Sequence, residues 1–159
     1  MASEIERKFL VQGDGWRAGA RQRLCQCYLN RDKEHTVRVR IAGDKAFLTI
    51  KGMTRGATRA EFEYEIPMQD AQQMLDLSDG PILEKIRHVL VHEGSRWEVD
   101  EFLGDNAGLV IAEIELQSED QPFSRPPWLG KEVTNDNRYY NSNLAGHPYK
   151  AWRNDTIAG

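Results

Sequence analysis

The sequence has few of the features that mark secreted, membrane-bound or nucleic-acid-binding proteins. Its 159 residues contain no long apolar run, and the first eight are mostly polar or charged. Neither a secretory signal nor a membrane span is therefore expected. The formal net charge is -4, which gives no bulk attraction to nucleic acid or to an anionic membrane. Repeats, low-complexity tracts and linkers are also absent, which favours a single domain over residues 1–159.

Cysteine is scarce as well, because Cys25 and Cys27 are the only two in the chain. On a strand, alternate residues point the same way and lie roughly 6.5 Å apart. That geometry does not suit a disulfide, so free thiols in a reducing cytoplasm are expected. Without matched cysteine or histidine partners, the pair is also a weak indication of a metal site.

The sequence does contain repeated alternation of apolar and polar residues, which is typical of strands. Glycine-containing turns at 42–44, 93–95 and 104–108 separate several of these segments. Two helices are predicted, at 68–77 and from an N-cap at Asn135 to Gly146. The strands are predicted at 4–11, 21–30, 35–41, 45–51, 58–66, 82–92, 95–102 and 109–116. Because closure removes exposed edges, they predict a mainly β (α+β) fold: a closed, eight-stranded antiparallel barrel with a few covering helices.

The polar faces of these strands carry charged side chains that are sorted by sign. Carboxylates occur in pairs on the first and last strands, whereas lysine and arginine dominate several strands between them. The acidic pairs are Glu4 with Glu6 and Glu113 with Glu115, and the basic residues are Lys8, Arg38, Arg40, Lys51, Arg59, Lys85 and Arg87.

These charged faces have two interpretations. Charged side chains are rarely buried unpaired, so the faces could simply meet water. Sorting by sign has little use there, however, because an exposed ion pair contributes only about 0–1 kcal/mol. If the faces line the barrel instead, carboxylates can converge on Mg²⁺ and basic side chains can hold phosphate oxygens. The apolar outer faces would then need cover from helices, loops or a second subunit, so a homodimer is one expected arrangement.

The N-terminal segment Glu4-Ile5-Glu6-Arg7-Lys8 resembles the E-x-E-x-K signature of the CYTH superfamily, also called triphosphate tunnel metalloenzymes. Further matches follow in order along nearly the whole chain, which makes the resemblance specific. The matching segments are Val37-Arg38-Val39-Arg40, Thr49-Ile50-Lys51-Gly52, residues 58–67, Lys85-Ile86-Arg87, Trp97-Glu98-Val99-Asp100, Ala112-Glu113-Ile114-Glu115-Leu116, and Glu132-Val133-Thr134 with Arg138-Tyr139.

The resemblance implies an antiparallel tunnel that depends on Mg²⁺ or Mn²⁺ and takes a substrate ending in a triphosphate. Short bacterial members of the family act chiefly as inorganic triphosphatases, so hydrolysis of inorganic triphosphate to pyrophosphate and phosphate is expected. An adenylate cyclase, a thiamine or nucleoside triphosphatase, and a non-catalytic polyphosphate-binding module remain alternatives. No base-reading motif supports the cyclase, and the paired glutamates favour catalysis over binding alone.

The resemblance also assigns expected roles to individual residues. Metal binding is assigned to Glu4, Glu6, Asp100, Glu113 and Glu115. The phosphate chain is assigned to Lys8, Arg38, Arg40, Lys51, Arg59, Lys85 and Arg87, and direct catalytic roles to Glu4, Glu6, Lys8 and Lys85. Supporting counter-charges are expected from Glu61, Glu63 and Glu98, with Glu65 a further candidate, because buried guanidinium groups need them.

Other conspicuous residues have structural interpretations. His88 and His92 lie on one predicted strand, roughly 13 Å apart, so they are not expected to share a metal ion. The aromatic residues are expected to pack under loops or against the barrel rather than to touch a substrate. They are Trp16, Trp97, Trp128, Trp152, Tyr139 and Tyr140.

Overall fold

The computed structural model describes residues 3–154, whose strands form one antiparallel sheet. The strands are β1 (Ser3–Val11), β2 (Ala20–Asn30), β3 (His35–Ala42), β4 (Lys45–Gly52), β5 (Thr58–Ile66), β6 (Leu83–His92), β7 (Ser95–Phe102), β8 (Val110–Leu116) and β9 (Leu129–Glu132). Their order is β5-β4-β3-β2-β6-β7-β8-β1-β9, and a further pairing joins β5 to β1. The closing register pairs Glu4 with Arg59. Eight strands therefore close into a barrel, as predicted, and β9 is added outside the closed ring.

Tight turns keep the hairpins in register. Between β3 and β4, Gly43 has a φ of +63°, a conformation that glycine adopts without strain. Between β6 and β7, Glu93 and Gly94 both have positive φ, +47° and +83°. This combination is typical of the type I′ turn, whose twist matches that of the flanking strands. The two turns were predicted at these positions.

The charged faces of the strands point into the barrel, and much of the apolar core lies outside it. On β1, Glu4, Glu6 and Lys8 line a central cavity. Phe9, on the opposite face, is fully buried in a cluster with Trp97 and Trp128. Since side chains alternate along a strand, the interpretation with inward-facing charge is the one that the fold adopts.

The segment after β9 covers one end of the barrel. There, inward-facing positions on β6, β7 and β8 are apolar, including Leu83, Phe102 and Ile111. Leu144 of helix α2 (Asn141–Gly146) and Trp152 pack against them in one buried cluster. The charged part of the interior therefore ends at an apolar floor.

The helices match the predictions in part. Helix α1 (Met68–Met74) continues as a 3₁₀ turn over Leu75–Leu77, which fills the predicted span of 68–77. The predicted helix from Asn135 to Gly146 is divided, and the N-cap prediction was wrong. Asp136 caps a 3₁₀ turn over Asn137–Tyr139, because its carboxylate accepts a hydrogen bond from the Arg138 backbone N–H. None of the helices within 3–154 is long and apolar enough to cross a membrane.

A candidate active site inside the barrel

The barrel encloses a cavity of about 1040 Å³, counting the space at its open mouth. The cavity collects every residue with a predicted site role except Asp100 and the exposed Glu65, and it reaches the surface beside the exposed Arg96. The charged residues that line it are Glu4, Glu6, Lys8, Arg38, Arg40, Lys51, Arg59, Glu61, Glu63, Lys85, Arg87, Arg96, Glu98, Glu113 and Glu115.

The strand order separates the lining charges into two walls. Of the consecutive strands β4, β3, β2 and β6, the strands β4, β3 and β6 contribute cations to the cavity, and β2 contributes no charged residue to it. Because none of the four contributes a carboxylate, they form a basic wall. The consecutive strands β7, β8, β1 and β5 contribute all seven lining carboxylates, together with the cations Lys8, Arg59 and Arg96. Closure of the barrel thus brings the acidic strands from the two ends of the sequence together, opposite the basic wall.

Glu6, Glu113 and Lys8 form the centre of the acidic wall. The Lys8 Nζ lies 2.5 Å from Glu6 Oε1 and 3.6 Å from Glu113 Oε1. Burial opposes ionisation of Glu6, but Lys8, Lys51 and a hydrogen bond with Glu113 together lower the pKa of Glu6 to about 2. Burial and the charge of Glu6 raise the pKa of Glu113. Burial, followed by Glu4 and Glu6, likewise raises the pKa of Glu115. These carboxylates repel one another, and a bound cation would relieve that repulsion.

Glu4 occupies the junction of the two walls. Its carboxylate accepts hydrogen bonds from Lys51 Nζ at 2.9 Å and Arg59 Nε at 3.2 Å. Against the effect of burial, these cations lower the pKa of Glu4 to about 2. Lys51 also lies 3.2 Å from Glu61, whose pKa burial raises to about 7, opposed by Lys51 and assisted by Glu4. Glu61 is thus a counter-charge for a lining lysine, and Glu63 similarly pairs with Arg38 at 3.4 Å.

Arg40 stands out on the basic wall because no carboxylate within residues 3–154 forms an ion pair with it. Its Nε donates instead to Gln26 Oε1 at 3.0 Å. Burial, with the nearby charges of Arg38 and Arg87, lowers the pKa of Arg40 to about 9. A half-buried guanidinium without an ion-pair partner is a strong site for a phosphate oxygen, which arginine can bind through two N–H groups.

Asp100 is on β7, directly opposite Arg87 of β6, and is completely buried. Its two oxygens accept hydrogen bonds from Arg87 Nε and an Arg87 terminal nitrogen at 2.8 and 2.9 Å, and Lys85 Nζ lies 2.7 Å from Oδ2. Burial opposes ionisation, but Arg87 and Lys85 hold the pKa of Asp100 well below its ordinary range. The structure therefore places Asp100 against two phosphate-binding candidates and not among the residues that line the cavity, although metal binding was predicted for it.

Several cavity residues were missed by the sequence analysis. Tyr139 is buried against Trp152, as expected, but Tyr140 lines the cavity, with the Lys8 ammonium 5.9 Å from its ring centre. Asn141 and Ser142 also line it. All three come from the short segment that covers the barrel end, and nothing in their spacing indicates that placement.

A second group of candidate ligands lies outside the barrel. Asp32, Glu34 and His35 hold one ligand atom each within 4.8 Å of one another, near the turn between β2 and β3. All three side chains are exposed, and exposed acidic groups commonly cluster without a metal ion. His88 and His92 share no such group within 3–154. His88 is instead buried beside Trp16 and Glu101, and His92 contacts Ser124.

Comparison with known proteins gives a consistent family. The CYTH domain matches residues 2–145. The inorganic triphosphatase of Acetivibrio thermocellus is 50% identical over 155 residues, covering 96% of this chain and 99% of that protein. The inorganic triphosphatase of Nitrosomonas europaea is 37% identical over 149 residues, covering 90% and 97%. A crystal structure of an inorganic triphosphatase matches with a TM-score of 0.64 at 36% identity, covering 91% of this chain and 95% of that one.

Proposed function

The chain belongs to the CYTH domain family, and on that premise we propose that it hydrolyses inorganic triphosphate to pyrophosphate and phosphate. The observation that carries the proposal is the pair of facing walls, one rich in carboxylates and the other basic, inside a closed barrel. Two relatives named inorganic triphosphatase match nearly the whole chain, which supports this substrate over other triphosphates.

The basic wall binds the phosphate chain in this proposal. Lys85 is a fully buried cation and Arg40 a half-buried one, and Arg87 is anchored by Asp100 with its side chain at the cavity surface. Arg38, Lys51 and Arg59 supply further donors. Lys8 and Lys85 stabilise the negative charge that moves onto the leaving pyrophosphate, since charge neutralisation and positioning dominate phosphoryl transfer.

The acidic wall fits a hard divalent cation at Glu6, Glu113 and Glu115, whose crowded carboxylates offer oxygen ligands. Within residues 3–154, Lys8 is the one cation that forms an ion pair with these three. Glu4, Glu6, Glu113 and Glu115 would hold Mg²⁺ or Mn²⁺. When bound, such an ion neutralises phosphate charge and lowers the pKa of water. We assign Asp100 to positioning Lys85 and Arg87, since both of its oxygens already bind those cations.

The proposal is tested by incubating the protein with Mg²⁺ and either inorganic triphosphate, ATP or thiamine triphosphate, then identifying the products. Orthophosphate and pyrophosphate from inorganic triphosphate are expected. Cyclic AMP from ATP would support the cyclase instead, and tight binding without turnover would support a binding module.

Glu6→Gln should remove turnover while circular dichroism shows an intact fold. Glu84→Gln is the matched control, because Glu84 pairs with Arg23 at 3.0 Å and does not line the cavity.

We further infer that the protein is a cytoplasmic homodimer. Both cysteines are free, which suits a reducing compartment. On the outer face of β4 and β5, Ile50, Phe62 and Tyr64 are exposed, and the register places Ile50 beside Phe62. Light scattering during size-exclusion chromatography tests the dimer, and Phe62→Lys should yield a monomer. A wild-type mass of 18.2 kDa would contradict it.

A further inference from the structure

Asn141 is the first residue of α2 and the point at which this helix meets the basic wall. Its Oδ1 accepts a hydrogen bond from Lys85 Nζ at 2.7 Å. The same oxygen lies 3.3 Å from Gln26 Nε2, which donates to it. One neutral side chain from the covering segment therefore contacts both a buried lysine of β6 and a buried amide of β2.

Gln26 extends this contact to Arg40, the cation of the basic wall that has no ion-pair partner within residues 3–154. Its side chain is completely buried, and its Oε1 accepts from Arg40 Nε at 3.0 Å. Arg40 and Lys85 are thus joined through two neutral amides. Because amide oxygens accept hydrogen bonds without a full negative charge, they hold these side chains in place without adding a further counter-charge.

The hydrogen-bonding capacity of Lys85 shows what this arrangement achieves. An ammonium group has three N–H donors. Asp100 and Asn141 occupy two of them at 2.7 Å each, and the Phe102 ring lies 5.4 Å from the nitrogen. Within residues 3–154 no further acceptor is bonded to this nitrogen, so one donor remains, and Lys85 lines the cavity. Two fixed acceptors determine the direction of the third N–H, since the three donors have tetrahedral geometry.

We propose that Asn141 is a positioning residue that directs the free N–H of Lys85 at the bound phosphate chain. The identity of that anion rests on the proposed function, whereas the positioning rests on the contacts of Lys85. Asn141 acts through Lys85, so its effect must disappear when Lys85 is removed.

A double-mutant cycle tests this dependence. Asn141→Ala should lower kcat/KM for inorganic triphosphate by about 10–100-fold, the usual effect of removing a group that orients a functional side chain. In a Lys85→Met background, the same substitution should change kcat/KM by less than about twofold, measured in single-turnover conditions if turnover is slow. An equal loss in both backgrounds would overturn the proposal. If Lys85→Met unfolds, Lys85→Gln provides the second background.

Two further variants separate positioning from a general effect on the helix. Asn141→Asp keeps the hydrogen bond but adds a negative charge beside the phosphate path, so KM should rise by about tenfold while kcat stays within a few-fold. Asn143→Ala is the matched control, because Asn143 Nδ2 bonds the Asn137 carbonyl oxygen at 2.6 Å and does not line the cavity. If Asn143→Ala reproduces the loss of Asn141→Ala, helix docking explains the effect and the proposal is wrong.

Binding measurements keep this inference separate from the proposed function. Isothermal titration calorimetry with inorganic triphosphate, in the presence of a chelator, gives affinities without hydrolysis. If the wild-type protein binds triphosphate but never hydrolyses it, the proposed function fails and the cycle is completed on affinity. If Asn141→Ala weakens binding only when Lys85 is present, the positioning role is supported. If it weakens binding equally when Lys85 has been replaced, the positioning role is refuted.

Discussion

Replacing Asp100 with asparagine tests how the charged interior is held together. Asp100 is completely buried and binds Lys85 and Arg87 at 2.7 to 2.9 Å. Asparagine has nearly the same shape but leaves these two cations, with Arg40 nearby, without their shared counter-charge. Breaking a buried ion pair by removing one partner typically costs about 3–5 kcal/mol. For a domain of this length, each kcal/mol lowers Tm by about 2–4 °C, so a fall of about 6–20 °C is expected.

The stability difference between wild type and Asp100→Asn should depend on pH, and the direction follows from the lowered pKa of Asp100. The pKa of Asp100 is held well below its ordinary value in the folded protein. Its contribution to stability is therefore complete above the unfolded-state pKa of about 3.9 and is lost as the pH falls toward the folded-state value. The difference in unfolding free energy between wild type and Asp100→Asn should therefore shrink as the pH falls below about 4.

Thermal and urea unfolding, followed by circular dichroism with and without inorganic triphosphate, provide the measurements. Because the variant has uncompensated cations, triphosphate without metal should raise its Tm more than that of the wild type. A Tm within about 2 °C of wild type would refute the reasoning, since at most about 1 kcal/mol would then depend on the pair. Normal stability combined with a higher requirement for Mg²⁺ would instead favour the metal-binding role expected from the sequence.

Three more predictions concern the two walls. Glu115→Gln should lower turnover at a fixed Mg²⁺ concentration by about 100-fold or more, and recovery at high Mg²⁺ would identify a metal ligand; full activity at low Mg²⁺ would exclude it. Arg40→Ala should raise KM by about 10–100-fold and also slow the chemistry, because a charged hydrogen-bond donor of the cavity is lost; unchanged kinetics would place Arg40 outside the substrate path. A chelator should abolish hydrolysis, and Mg²⁺ or Mn²⁺ should restore it; persistent turnover in excess chelator would contradict metal dependence.

The barrel could be predicted because each of its strands carries its own local pattern. Alternation identified eight strands and their two faces, and turn glycines such as Gly43 fixed the hairpins. The short strand β9 (Leu129–Glu132) was missed because it has no local alternation. It exists because β1 pairs with it, through Phe9 with Glu132 and Val11 with Leu129. Such a pairing between distant segments leaves no periodic trace in either one.

The site could be predicted only as far as the alternation of side chains along each strand determines it. This alternation places Glu6 and Arg40 on inward faces, but it does not show which inward residues reach the cavity. Asp100 shares its face with Glu98, yet Asp100 is sealed behind Lys85. The contribution of Asn141 depends on how the C-terminal segment docks, which results from burial of an apolar cluster and not from any motif around that residue.

The arrangement of charge and core explains how a barrel with so many interior charges remains folded. Along the charged part of the barrel, the apolar side chains that usually fill an interior are packed outside, where Phe9, Trp97 and Trp128 form a buried cluster. The cavity can therefore stay polar without removing the main source of stability. Its seven lining carboxylates nearly balance its eight lining cations, which limits the electrostatic cost of enclosing them.

A strongly anionic triphosphate upsets that balance, because the carboxylates of the acidic wall repel it unless positive charge lies between them. From the proposed roles of the two walls, we therefore expect metal and phosphate to be mutually dependent ligands. We expect triphosphate affinity to rise with Mg²⁺ concentration in the wild type and to lose that dependence when the acidic wall is neutralised.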